Sequence, residues 1–75
     1  MIKYKDTSNT SNVDSYEIGE NEIKVTFKGN QKKYLYNSIK PGNAKVDKMK
    51  QLAVDGEGLN RYINKEVGKN CFILS

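Results

Sequence analysis

The run Ile23-Lys24-Val25-Thr26-Phe27-Lys28-Gly29-Asn30-Gln31-Lys32-Lys33-Tyr34-Leu35-Tyr36 alternates apolar and polar residues on both sides of a glycine-asparagine pair. Period-two alternation marks strands with one buried face, and Gly-Asn accepts the positive φ angles of a two-residue hairpin turn. Taking Gly29 and Asn30 as the loop sets Lys28 against Gln31, Thr26 against Lys33, Val25 against Tyr34 and Ile23 against Tyr36. Both tyrosines then share the face of Ile23, Val25 and Phe27. Upstream, Tyr16 and Ile18 alternate with Ser15 and Glu17, and a turn at Glu20-Asn21 sets Ile18 against Ile23 and Tyr16 against Val25. The two turns predict a three-stranded antiparallel meander, apolar on one side.

Downstream, Pro41-Gly42 closes the strand region, and Val46, Met49, Leu52 and Ala53 recur at helical spacing. A helix over 43–54 is expected, with Asn43 as its N-cap and Gly56 as its stop. Leu59, Tyr62, Ile63 and Val67 mark one face of a second helix that Gly68 closes. Residues 13–67 are therefore expected to form one α+β domain, with two α-helices packed on one face of the meander. Residues 7–12 are Ser, Thr and Asn throughout, so 1–12 reads as a flexible or extended lead. Residues 68–75 are apolar enough to pack back on the domain as a short edge strand.

A chain of 75 residues has room for one domain. Domains of this size bury only about 60% of their unfolded surface. Such cores rarely supply more than roughly 3–5 kcal/mol, which makes a homo-oligomer an expected source of added stability. Cys71 is the sole cysteine and the chain contains no histidine. An intramolecular disulfide, a His/Cys zinc site and a Ser-His or Cys-His dyad are all excluded. Asp55 and Glu57 flank the Gly56 turn without a nucleophile to serve. No catalytic residue, metal or cofactor is expected. The segment Met1-Ile2-Lys3-Tyr4-Lys5-Asp6 lacks the apolar core of a signal peptide and no stretch has membrane-spanning length, so the expected location is the cytoplasm, with no membrane partner.

The net charge is +4, and from Lys24 to Lys50 the only acid is Asp47 among Lys24, Lys28, Lys32, Lys33, Lys40, Lys45, Lys48 and Lys50. In the expected register Lys24, Lys28 and Lys33 project from the open face of the sheet, forming a patch suited to polyanions. The same lysines would also keep an exposed sheet soluble. Arg61 alone offers a planar bidentate fork. Beside it, Asn60 follows the Gly56/Gly58 turn, an arrangement that fits either an anion site or ordinary helix capping. Tyr34 and Tyr36 read as a stacking platform for bases or as core residues whose hydroxyls reach a rim.

Taken together, Ser11-Asn12-Val13, Ile23-Lys24-Val25-Thr26-Phe27 before a glycine turn, Tyr34-Leu35-Tyr36, the Ile39 to Pro41 step and Gly56-Glu57-Gly58-Leu59-Asn60-Arg61-Tyr62-Ile63 form a pattern. It resembles the KTSC domain, named for the C-terminal extension of some lysyl-tRNA synthetases and also found as free-standing small proteins in bacteria and phages. The resemblance covers 11–67 and implies RNA binding, by attachment to a tRNA-charging enzyme. The expected function is non-catalytic binding of a phosphate-bearing ligand, RNA first, through Lys24, Lys28, Lys33, Tyr34, Tyr36, Asn60 and Arg61. The alternative is a small protein that sequesters a nucleotide signal or inhibits a protein partner.

Overall fold

The computed structural model describes residues 1–7, 11–30 and 32–74. They form an α+β fold with one five-stranded antiparallel sheet. The strands β1 (Ile2–Lys3), β2 (Val13–Gly19), β3 (Glu22–Phe27), β4 (Lys33–Asn37) and β5 (Phe72–Leu74) lie in the order β1-β2-β3-β4-β5. Between β4 and β5 the chain runs through α1 (Asn43–Asp55), α2 (Leu59–Tyr62) and a π-helical segment (Ile63–Val67). The expected meander is the centre of this sheet, and the two chain ends extend it on either side.

The hairpin registers are those that the alternation requires. Ile18 pairs with Ile23 and Tyr16 with Val25; Ile23 pairs with Tyr36, Val25 with Tyr34 and Thr26 with Lys33. The second turn differs in form from the expected two-residue loop. The Asn30 N–H bonds the Phe27 carbonyl at 3.2 Å and Gly29 has φ 73°, so the turn is centred on Lys28-Gly29. The glycine meets the positive φ at the third position, and Asn30 has no need to. The expected Lys28–Gln31 pairing falls on a residue outside those described.

Within the expected flexible or extended lead, the first residues are extended and join the sheet. The fold begins at Ile2, which pairs with Tyr16, and Tyr4 is only 3% exposed. A β-bulge explains how it gets there. Val13 pairs with Phe27 but Ser15 with Thr26, so Asp14 is the extra residue. The bulge shifts the phase of β2 so that Val13 and Tyr16 both turn inward. It also presents the Asp14 carbonyl to the Tyr4 N–H at 3.0 Å.

Helix α1 runs one residue beyond the expected range, and Gly42, not Asn43, is its N-cap. Gly56 ends it as expected, in the left-handed conformation at φ 77°. Lys50 ties this helix to the β2–β3 turn through the carbonyls of Gly19 and Glu20, at 2.8 and 2.9 Å. The second helix differs from expectation: after one α-turn it widens into π geometry, which ends at Gly68. Val46, Met49, Ala53, Leu59, Ile63 and Val67 pack on Tyr4, Val13, Tyr16, Ile23, Val25 and Tyr36 to form the core. No described helix is long and apolar enough to cross a membrane.

Residues 4–7 grip the turn between the helices. The Tyr4 hydroxyl accepts the Leu59 N–H at 3.2 Å, and both the N–H and the hydroxyl of Thr7 bond the Gly56 carbonyl, at 2.8 and 3.2 Å. A Cβ on Gly56 would stand 2.5 Å from the Lys5 Cβ. Tyr4→Phe leaves the Leu59 N–H buried and unpaired, for a loss of about 1–3 kcal/mol. Thermal denaturation checks this, with a fall in Tm of roughly 4–8 °C per kcal/mol expected for a domain of this size. Gly56→Ala, which meets both positive φ and the Lys5 contact, is expected to lose more than about 1 kcal/mol.

Candidate functional site

Helices α1 and α2 and the π-helical segment cover one face of the sheet. Where β4 and the β3–β4 turn pass the π-helical segment, the cover is incomplete. A groove of about 660 Å³ opens there, lined by Phe27, Lys28, Asn30, Tyr34, Tyr36, Asn60, Asn64, Lys69 and Cys71 among others. A second hollow of about 440 Å³ lies beside it, lined by Ser11, Glu57, Gly58, Arg61 and Lys65. Asn60 and Asn64 line both hollows and form the ridge between them. The first volume lies within the roughly 300–1,000 Å³ typical of small-ligand sites.

The two tyrosines occupy different depths. Tyr36 is 1% exposed, so it belongs to the core while also lining the groove. Tyr34 is half-buried at the mouth, and its orientation is held twice over. Asn30 Nδ2 donates to the Tyr34 hydroxyl at 3.0 Å, and the Phe27 and Tyr34 rings meet edge to face with centroids 5.2 Å apart. Asn30 is held in turn by the Lys32 N–H on its Oδ1 at 2.9 Å.

Cys71 is half-buried on the groove wall, next to Tyr36. Burial pushes both groups up: the Tyr36 hydroxyl well above its usual value of 10.0, reinforced by the neighbouring thiol, and the Cys71 thiol above its usual 9.0. Folded-state values above the unfolded ones favour the neutral forms. Their contribution to stability is therefore fully present below about pH 9 and is lost as pH rises beyond it. Chemical denaturation at pH 7 to 11 is expected to show that decline, and Tyr36→Phe to flatten the part above pH 10.

The expected lysine patch is divided. Lys24 lies on the open face, between Glu17 across the strand and Glu22 at 3.7 Å. Lys33 lies on that face beside Leu74, next to the half-buried pair Leu35 and Phe72. Lys40 covers the Phe72 ring at 5.0 Å, a cation–π contact. Lys28 departs from the expected placement. Its N–H bonds the Asn12 carbonyl, its ammonium pairs with Asp6 at 3.3 Å, and it lines the groove on the helix side. The Asp6 charge on the N-terminal segment holds it there. Lys45 and Lys50 are engaged by backbone carbonyls.

Tyr34, Tyr36, Asn60 and Lys28 are thus brought together, Arg61 stands in the adjoining hollow, and Lys24 and Lys33 lie on the far side of the sheet. The Leu59 N–H, which an anion at the Gly58 turn would use, already serves Tyr4. Sequence reasoning missed Asn64, Lys69 and the groove side of Cys71. The four-residue spacing of Asn60 and Asn64 on one helix face is the signal that would have found the first. Among the described residues no group of His, Cys, Asp and Glu is arranged to hold a metal ion. Comparison with protein-family models, curated proteins and solved structures found no match.

Proposed function

We propose that this protein is a non-catalytic binding module for a phosphate-bearing nucleotide ligand, specifically a short stretch of single-stranded RNA held in the groove between β4 and the π-helical segment. The observation that carries the reading is the convergence of a pre-oriented aromatic ring, Tyr34, with amide side chains and with Lys28 and Lys69 in one hollow, beside Arg61 and Lys65 in the next. A base stacked on a positioned ring contributes roughly 1–3 kcal/mol. Amides match base edges, and the cations match the phosphates on either side. A π-helical turn at this wall fits the frequent occurrence of that geometry at functional sites. The resemblance to the KTSC domain points the same way, and a cytoplasmic setting is part of the reading.

The size of the two hollows favours a second use of the same groove, capture of a free mononucleotide or cyclic dinucleotide. Length separates the two. Fluorescence anisotropy with labelled single-stranded RNA is expected to show affinity rising from one nucleotide to two or more, with log K falling against log salt at about −0.7 per neutralised phosphate. Mononucleotides that bind as tightly as the tetranucleotide would establish nucleotide capture. Lys28→Gln and Arg61→Gln are each expected to weaken binding about ten-fold, as loss of a charge-assisted contact does. Lys24→Gln with Lys33→Gln on the open face is expected to leave affinity within about three-fold, since only screened long-range attraction is lost. The reverse pattern would contradict the groove assignment, and silence with every nucleotide would assign the module to a protein partner.

A further inference from the structure

At the C-terminal edge of the sheet, β5 pairs with β4 on one side and stands last in the strand order. Among the described residues no strand lies beside its outer backbone edge. Natural sheets blunt such edges with charge, proline, a bulge or brevity. The opposite edge follows that rule, with two paired residues of which one is Lys3. The strand β5 carries no charge, proline or bulge. Its Ile73 is 56% exposed on the helix side, next to Tyr34, while Phe72 and Leu74 lie half-buried on the open face, Phe72 beside Leu35.

The charge around this edge has one sign. Lys33 stands beside Leu74 on the open face, the Lys40 ammonium lies over the Phe72 ring at 5.0 Å, and Lys69 precedes the strand on the groove side. All three are exposed, and none pairs with a carboxylate among the described residues. The segments 32–46 and 67–74 contain no acid.

We propose that β5 is a docking edge for an extended acidic peptide segment of a protein partner, which adds to the sheet as a sixth strand. Strand addition draws affinity from main-chain hydrogen bonds and specificity from alternate side chains. Neighbouring strands lie about 4.7–4.9 Å apart, so the added strand stands roughly 10 Å from β4. A lysine and a glutamate side chain extended toward each other span that gap, which brings a carboxylate of the added strand to Lys33. Lys40 is already above β5. Between the two cations, apolar residues of the peptide seat against Phe72 and Leu74. A second copy of β5 is a poorer occupant. Two-fold pairing centred on Ile73 sets Phe72 of each copy against Leu74 of the other, and so gathers Lys33 and Lys40 of both copies at one seam, like charge against like. RNA supplies negative charge but no row of amides and carbonyls to pair with the edge.

The test is fluorescence anisotropy at low salt, on the intact chain, with the labelled capped peptide Glu-Thr-Val-Thr-Val-Thr-Glu and its counterpart with lysine at both ends. Its alternation puts the valines and the terminal charges on one face of the added strand. The glutamate peptide is expected to bind about ten-fold tighter or more, since each end of the other replaces an attraction by a repulsion. Lys33→Gln and Lys40→Gln are each expected to weaken it about two- to five-fold, the range of an exposed ion pair, while Lys28→Gln leaves it unchanged. Both lysines are exposed, and circular dichroism verifies the fold of the variants. Hydrogen exchange is expected to show new protection at the outward amides of 72–74, which attraction to the lysines alone does not produce. Equal binding of the two peptides, binding of neither, or binding without new protection of β5 would overturn the proposal. A dimer of peptide-free protein that Ile73→Lys converts to monomer would give the edge to a second copy instead. Single-stranded RNA that protects the same amides when neither peptide does would give it to nucleic acid.

Discussion

The hydroxyl of Tyr4 accepts a hydrogen bond from the Leu59 N–H, 55 residues away in sequence. Together with the Thr7 bonds to the Gly56 carbonyl it fixes where the second helix starts. The π-helical segment, and with it Asn60 and Asn64, takes its position over β4 from that start. A short edge strand could not do this alone, since β1 contributes only two paired residues. The bulge at Asp14 makes it work: it turns Tyr4 inward, supplies the carbonyl for its N–H and keeps Val13 and Tyr16 on the core side.

Charge placement follows from the same scaffold. A net charge of +4 suggests a broad basic surface, but geometry disperses it. Lys24 sits between acids, Lys28 pairs with Asp6, Lys40 covers an aromatic ring, and Lys45 and Lys50 bond backbone carbonyls. An exposed pair such as Lys24–Glu22 contributes little to stability, yet each of these contacts engages an ammonium group. The consequence is a groove with its own cations on the helix side and an opposite sheet face that is part apolar, through Leu35, Phe72 and Leu74.

Much of this architecture is legible in the residues. The alternation from Tyr16 to Tyr36 admits one inward-facing register, because a shift of one residue would expose Ile23, Val25 and both tyrosines together. The C-terminal edge strand is likewise readable, from the apolar run at Phe72-Ile73-Leu74. Two features escaped for physical reasons. Ile2 and Tyr4 alternate with Lys3 and Lys5 over too short a stretch to outweigh the polar tract that follows, and a bulge breaks the very periodicity used to find strands. Winding of Ile63–Val67 as a π-helix leaves the apolar spacing almost unchanged, so sequence pattern reads it as ordinary helix. Tyr34, Tyr36, Asn60 and Arg61 were each visible as candidates, but as two sites, a sheet face and a turn. Only the groove that sets the second helix across from β4 makes them neighbours, and it leaves Lys24 and Lys33 behind.

The account is tested most directly by titrating isotope-labelled protein with single-stranded RNA and following its backbone amide resonances by NMR. It predicts shifts concentrated at Gly58, Asn60, Arg61, Asn64, Gly68 and Cys71, with Tyr34 and Lys28 included, and quiet signals from Glu17, Lys24 and Leu35 on the open face. Shifts concentrated on Lys24, Lys33 and Leu35 instead, with the helix side unmoved, would contradict it.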